Sequence, residues 1–584
     1  MIETLGCSDF TVGGTPSSST SAGLRTLTAP GTVSILKRAA NIRLRTETWT
    51  TPPFDGGFNS EKISLLNAAL ATDATSTMRD STRWHIPGLI VLSTIWESLF
   101  LFKGSNLLDE GWALYTGMQL AMGRQLYADI SWVFPPGHAL PAWLGYVLDP
   151  AGVLIPRLIY AFFAVILVVA LYQLGRKVMP AHYALLGAAI LAIAAPRSHM
   201  MHLLYGYRYM VLAVWVLLLY SSYLETGRLK QMFLAGMVGG VCLYFRVTPA
   251  LAVSLAIAIA VLTHPGGPRA WFPAWLLYAA GLLLVIVPVL IYFATTVGLA
   301  RVFDEVILHP MGMLQPLPVP VMFWPDWSSR ESIAEAWRVL SLRLFVFLYA
   351  GYAIKLTLEF IRSRRNGTPY ESTLLVAIVV WGAVFFLRSF GRADEAHMDT
   401  TLPPICLLVA HATSRGFARL APHVKALRES SVASPLTAAA VFVAWVLLIA
   451  SDTYPLPHRF ARTGLPYKVT SGVDLIQANT KPGDIVLDLS SAPMFHPLSG
   501  RPGPGRADIL MPGTFVDEAD ERDFIARLEA APPTAILWPL HPFDHMESRS
   551  VQDIAPLVVA WVEARYRPDQ ETAKFRLWLP RRTL

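Results

Sequence analysis

The residues best placed for chemistry are carboxylates beside hydrophobic sequence. Residues 106–137, "NLLDEGWALYTGMQLAMGRQLYADISWVFPPG", carry Asp109, Glu110 and Asp129 and end on Pro-Pro-Gly. A carboxylate held near a hydroxyl can take its proton as the oxygen attacks. Between the acids, "GWALYTGMQLAMG" sets apolar residues at helical spacing. This predicts a helix lying along a membrane interface, anchored by Trp112 and Tyr115. Such a helix can fold Asp109 and Asp129 towards one cavity. The plainer alternative is solvated loop charge, with Asp109 or Asn106 capping the helix; spacing alone does not separate the two.

A second cluster is "LRSFGRADEAHMDTTLPP", residues 387–404, with Arg388, Arg392, Asp394, Glu395, His397 and Asp399 directly between two apolar runs. Charges crowded at the end of a span face a cavity or partner groups, and the guanidinium fork suits phosphate. A salt-bridged turn is the alternative for some of them. Third, "YFRVTP" puts Arg246 in a tight hairpin. "PRSHMMHLLYGYRY" would add Arg197, His199, His202 and Arg208 on the same side. The His199/His202 spacing shares a helix face, but such histidines more often hydrogen-bond at a surface than bind metal. Carboxylates and arginines beside lipid suit a phosphate-bearing amphiphile.

The elements that must hold these groups are spans. The chain is 53% hydrophobic and 15% charged, with a mean hydropathy of +0.44. Apolar runs of spanning length recur over residues 86–451, which predicts a polytopic α-helical membrane protein with about 11 transmembrane helices (roughly 10–13). The runs are 86–102, 153–174, 182–195, 209–223, 232–245, 248–262, 273–297, 340–360, 373–389, 401–412 and 434–451. The short connections 175–181, 224–232, 262–273, 361–372 and 412–433 are denser in Lys and Arg than the opposite set. That density places them, and the N-terminus, in the cytoplasm. The loops 103–152, 298–339 and 388–400 then lie outside, with the C-terminal region.

Residues 1–80, with "TVGGTPSSSTSAG", read as a disordered tail. Translation from Met78 would leave a short basic tail before the first span. Residues 452–584 alternate strand-like "DIVLDLS", "TAILWPL" and "KFRLWLP" with helix-like "DEADERDFIARLEA" and "DIAPLVVAWVEARY". This predicts an extracytoplasmic α/β domain. Its "GRPGPGRADILMPG" serves either an acceptor entrance or a plain structural loop. The net charge of +7 lies largely in short loops and is no nucleic-acid signal. Cys7, Cys242 and Cys406 suggest neither a disulfide framework nor a zinc site.

The run "LLDEGWALYTGMQLAMGRQLYADISWVFPPG" resembles the first periplasmic loop of GT-C glycosyltransferases, most of all the bacterial branch related to protein mannosyltransferases and lipid A aminoarabinose transferases. "GRADEAHMDTTLPP" is similar to an Arg-x-Asp-x-x-His element of bacterial members. The resemblance covers roughly residues 84–584, with a transmembrane module over 84–451 and an outer domain over 452–584. It implies a bacterial inner-membrane enzyme that transfers sugar from a polyprenyl-phosphate donor to a lipid, glycan or protein acceptor on the outer side. It further implies catalytic roles for Asp109, Glu110 and Asp129, with inversion in a single displacement. Some GT-C members use a divalent metal, and the ligand density here does not require one. Aminoarabinose transferases carry Lys where this chain has Phe134, so the phosphate needs other cations. Arg246, Arg388 and Arg392 are the candidates, with His397 as a weaker one. The rival expectations are a transporter or flippase of a lipid-linked sugar, and a scaffold displaying the outer domain. No internal repeat supports the transporter.

Overall fold

In lipid a backbone must satisfy its own N–H and C=O groups, so apolar runs become helices. The computed structural model describes residues 82–101, 107–150, 152–194, 209–264, 267–314, 333–390, 400–430, 432–451, 467–542, 550–572 and 574–581. The expected runs appear as α1 (His85–Phe100) and, after the outer helices α2 (Asp109–Ala121) and α3 (Leu140–Leu148), as α4 (Leu154–Gly175), α5 (Ala181–Ala194), α6 (Met210–Thr226), α7 (Leu229–Phe245), α8 (Val247–Leu262) and α9 (Pro268–Thr296). They continue as α10 (Ile333–Asn366), α11 (Thr373–Phe386), α12 (Leu402–Leu420) and α13 (Ala433–Ser451). Among the described residues, three helices are long and apolar enough to cross a membrane: Leu154–Gly175, Trp271–Thr296 and Arg343–Asn366. Six shorter apolar helices of 10–17 residues accompany them. The chain is a membrane protein, and its helices share one large apolar core.

Small residues let these helices approach closely. Gly236 and Gly240 of α7 face the Tyr278 and Leu282 backbone of α9, and Gly281 of α9 faces the Phe233 carbonyl in return. A side chain at any of the three would collide with the opposing helix. Pro273 and Pro288 are carried inside α9 without ending it.

The C-terminal region is α/β as its pattern predicts. It comprises α14 (Tyr467–Asn479), β1 (Val486–Asp488), α15 (Glu518–Ala530), β2 (Ala535–Pro539), α16 (Pro556–Arg565), β3 (Tyr566–Glu571) and β4 (Phe575–Pro580). The sheet order is β1-β2-β4-β3, with β1 parallel to β2 and the other pairs antiparallel. The sequence reading missed β3. Its "YRPDQE" is mostly exposed, contains Pro568 and shifts register beside it, as suits an edge strand.

The expected anchoring of α2 in lipid through Trp112 and Tyr115 is corrected. Glu110–Gln119 are all buried, Trp112 and Tyr115 included. The C-terminal α/β region covers the helix. The Met494 N–H donates to the Leu107 carbonyl at 3.2 Å, and a Cβ on Gly111 would collide with Met494. Met494 and Met511 join Trp112, Trp132 and the outer ends of the spans in a second apolar core. The predicted tail 1–80 lies outside the described residues.

Candidate active site

Asp109 and Glu110 open α2, where helix N-termini favour negative charge. Their environments differ. Asp109 is half-buried. Glu110 is fully buried and gripped by Arg157 of α4, whose Nε and Nη2 donate to its two carboxylate oxygens at 2.6 and 2.7 Å. Arg157 Nη1 donates to the Leu101 carbonyl beyond α1, at 2.8 Å. One guanidinium therefore fastens α1, α2 and α4 together, and both oxygens of Glu110 are committed to it.

Asp129 follows the far end of α2, a helix of 13 residues that spans about 20 Å. It is exposed, and its carboxylate accepts the Gln125 N–H at 2.8 Å. The side chain caps its own turn.

The Pro-Pro-Gly segment then brings aromatic rings against the α7–α8 hairpin. A Cβ on Gly137 would strike the Tyr244 ring, so only glycine lets the turn reach the end of α7. Arg246 is the single residue between α7 and α8. It is buried, with its guanidinium 4.7 Å from the centroid of Phe134. Phe134 in turn lies 6.1 Å from Trp112. Trp112 sits three residues after Asp109, and residues at that spacing share a helix face. Trp112 and Phe134 thus stand between the start of α2 and Arg246.

His138, on the short 3-10 turn Pro136–Ala139, stacks on Phe134 at 4.6 Å and 24°. Burial pushes its pKa well below the ordinary range, and the charges of Arg246 and Arg388 push it further. Arg388 follows α11, half-buried, 5.9 Å from the Phe385 ring. The structure thus brings Arg246 and Arg388 within electrostatic reach of one imidazole. Arg392 and His397, with Asp394, Glu395 and Asp399, lie outside the described residues, as do Arg197, His199, His202 and Arg208.

The outer domain completes the surroundings through polar contacts. Tyr115 hydrogen-bonds Asp508, accepts the Gly503 N–H at 2.8 Å and stacks on His496 at 4.3 Å. Arg124 donates to the Gly503 carbonyl at 3.0 Å. Burial holds Asp508 up at about 6 and His496 down at about 4. "GRPGPGRADILMPG" is thus the segment that docks on α2. In the outer loop after α9, a π-turn at Asp304–Leu308 carries the fully buried Glu305. That carboxylate pairs with Arg506 at 2.8 Å and accepts the Ser131 hydroxyl at 2.9 Å. Among the described residues, no group of three or more His, Cys, Asp or Glu side chains is placed to hold a metal ion.

The fold has counterparts among solved structures. ArnT from Cupriavidus metallidurans, in the apo state, matches over 86% of this chain and 98% of its own, at 14% identity and a TM-score of 0.52. The chain shares the fold of that structure. The apo Archaeoglobus fulgidus oligosaccharyltransferase aligns over 78% of this chain and 69% of its own, at 13% identity and a TM-score of 0.47. AglB from the same organism, solved with an inhibitory peptide and a dolichol-phosphate, gives the same coverages and identity with a TM-score of 0.45. No protein-family profile matches the chain, and neither does any curated protein.

Sequence reasoning missed Arg157, His138 and Glu305. Arg157 had a signal, since an arginine inside the apolar run "LIPRLIYAFF" requires a buried partner. His138 stood directly after the Pro-Pro-Gly. Glu305 had a local one, since Arg301 and His309 stand four residues to either side and both pair with it, whereas Arg506 comes from another part of the chain.

Proposed function

We propose that this protein is a membrane glycosyltransferase. It moves a sugar from a polyprenyl-phosphate donor to an acceptor hydroxyl on the extracytoplasmic side, with inversion. The observation that carries this reading is the succession Asp109, Trp112, Phe134, Arg246: the half-buried carboxylate begins the helix that carries Trp112, Trp112 lies 6.1 Å from Phe134, and Phe134 lies 4.7 Å from the Arg246 guanidinium. The GT-C fold supports it. In the reaction, the acceptor oxygen attacks the anomeric carbon while Asp109 takes its proton. The bond from that carbon to the phosphate oxygen breaks. The lipid phosphate leaves as an anion and needs no general acid. Arg246 and Arg388, joined by Arg392 and His397, stabilise the charge gathering on it. Glu110 holds the first turn of α2 in place through Arg157, and Asp129 orders the loop beyond that helix. The acceptor is a lipid, glycan or protein. About 11 spans, a cytoplasmic N-terminus, an outer C-terminal domain and a bacterial inner membrane complete the proposal.

The test uses purified protein with radiolabelled polyprenyl-phosphate sugars. Asp109→Asn should abolish transfer and donor hydrolysis while donor affinity stays near the parent value. Parental turnover in that variant would remove Asp109 as base. Movement of labelled donor across vesicles without chemistry would replace the enzyme by a flippase.

A further inference from the structure

His138 is fully buried, yet neither ring nitrogen has a hydrogen-bond partner of good geometry; the Phe245 carbonyl is close enough to act on the ring, but its alignment falls short of a well-formed bond. Its neighbours are rings: Phe134 and Tyr209 at 4.6 Å and Trp132 at 5.8 Å. A phenylalanine would fill this aromatic slot without leaving buried nitrogens unsatisfied, which is the costly condition. Packing therefore does not account for the imidazole. Two guanidiniums bear on it, Arg246 and Arg388. They oppose a third positive charge, so the ring stays neutral, with one N–H to donate. An anion drawn in by the two arginines would supply the acceptor that this N–H lacks.

We infer that His138 donates a hydrogen bond to the phosphate of the lipid-linked donor, forming with Arg246 and Arg388 a three-sided phosphate subsite. This rests on the glycosyltransferase reading and adds to it a neutral donor that orients the phosphate. His138 exchanges no proton in the reaction.

The experiment measures binding of a polyprenyl monophosphate to the purified full-length chain in detergent, with the polyprenol and inorganic phosphate alone as the other arms. His138→Phe keeps the ring stacking and removes the N–H. It should weaken polyprenyl-phosphate binding about tenfold or more, the size of one hydrogen bond to a charged group. Polyprenol binding should not change. The ligand-free Tm should hold or rise, because two unsatisfied nitrogens are gone. His138→Gln returns an N–H and should recover part of the affinity. The inference is overturned if His138→Phe binds polyprenyl phosphate within twofold of the parent while Arg246→Gln binds it weakly. It is also overturned if His138→Phe lowers the Tm and weakens both lipids alike, which is the mark of a structural role. Saturation by inorganic phosphate at the lipid's affinity would reassign the subsite to a free anion. A parent chain that does not distinguish polyprenyl phosphate from polyprenol would sink the donor reading itself, an outcome separate from the behaviour of His138.

Discussion

Glu110→Gln tests which of the two adjacent acids carries the proposed chemistry. In the parent, three Arg157 donors are used within a fully buried site, two on Glu110 and one on the Leu101 carbonyl. Glutamine keeps one acceptor but turns an NH2 towards the guanidinium and leaves the buried charge unpaired. Breaking a buried pair in this way costs about 3–5 kcal/mol. Removing both charges in Glu110→Leu/Arg157→Leu avoids that penalty and leaves the Leu101 carbonyl without its donor, a deficit of about 1–3 kcal/mol. The double variant should therefore be more stable than Glu110→Gln, which additive single effects would not give. Thermal unfolding of purified protein, read beside sugar transfer, measures both. Glu110→Gln should lose several degrees of Tm and, with the α2 start loosened, part of its turnover. Asp109→Asn should keep its Tm and lose transfer. A Glu110→Gln protein with the parental Tm and no transfer would show that Glu110 reacts, and the assignment of Asp109 as base would fall.

The pair flanking Tyr115 carries a pH signature. The Asp508 contribution to stability is complete below its ordinary 3.8 and lost as pH rises through about 6; the His496 contribution is complete above 6.5 and lost as pH falls through about 4. Each is worth about 3 kcal/mol and the slopes oppose, so the parent profile is nearly flat between pH 4 and 6. Asp508→Asn should give a Tm that rises across this window and His496→Phe one that falls; two flat profiles would refute the account. Gly137→Ala should push Tyr244 and the adjacent Arg246 away, costing about 1–3 kcal/mol. Donor affinity should fall with it, and an unchanged affinity would count against the close turn.

The membrane part was legible because lipid leaves few choices: the apolar runs became helices, most with ends close to those expected, although 340–360 extends to Ile333–Asn366 and 401–412 to Leu402–Leu420. The charged candidates were legible for the same reason, since Asp109, Arg246 and Arg388 stand out beside apolar sequence. What sequence did not show was the depth of α2. "GWALYTGMQLAMG" has the composition of an interfacial helix, and nothing local says that a domain almost 400 residues away will cover it. Tyr115 and Asp508 are 393 positions apart. The buried neighbours differ from solvated charges only in such contacts. Adjacent acids with the same chemistry therefore received different environments, one half-buried and one locked to Arg157.

These contacts also explain why the outer domain docks in one register. Apolar packing of Met494 and Met511 on α2 is non-directional and would tolerate sliding. The polar contacts would not. Tyr115 needs both Asp508 and the Gly503 N–H, Arg124 needs the Gly503 carbonyl, and Glu305 needs Arg506. A shift of one residue would leave several buried polar groups unpaired, at about 1–3 kcal/mol each. The domain is thus keyed to α2, and α2 to α4 through Arg157. Asp109 stands at the end of that chain of directional contacts, which fixes the start of α2 more tightly than non-directional apolar packing alone would.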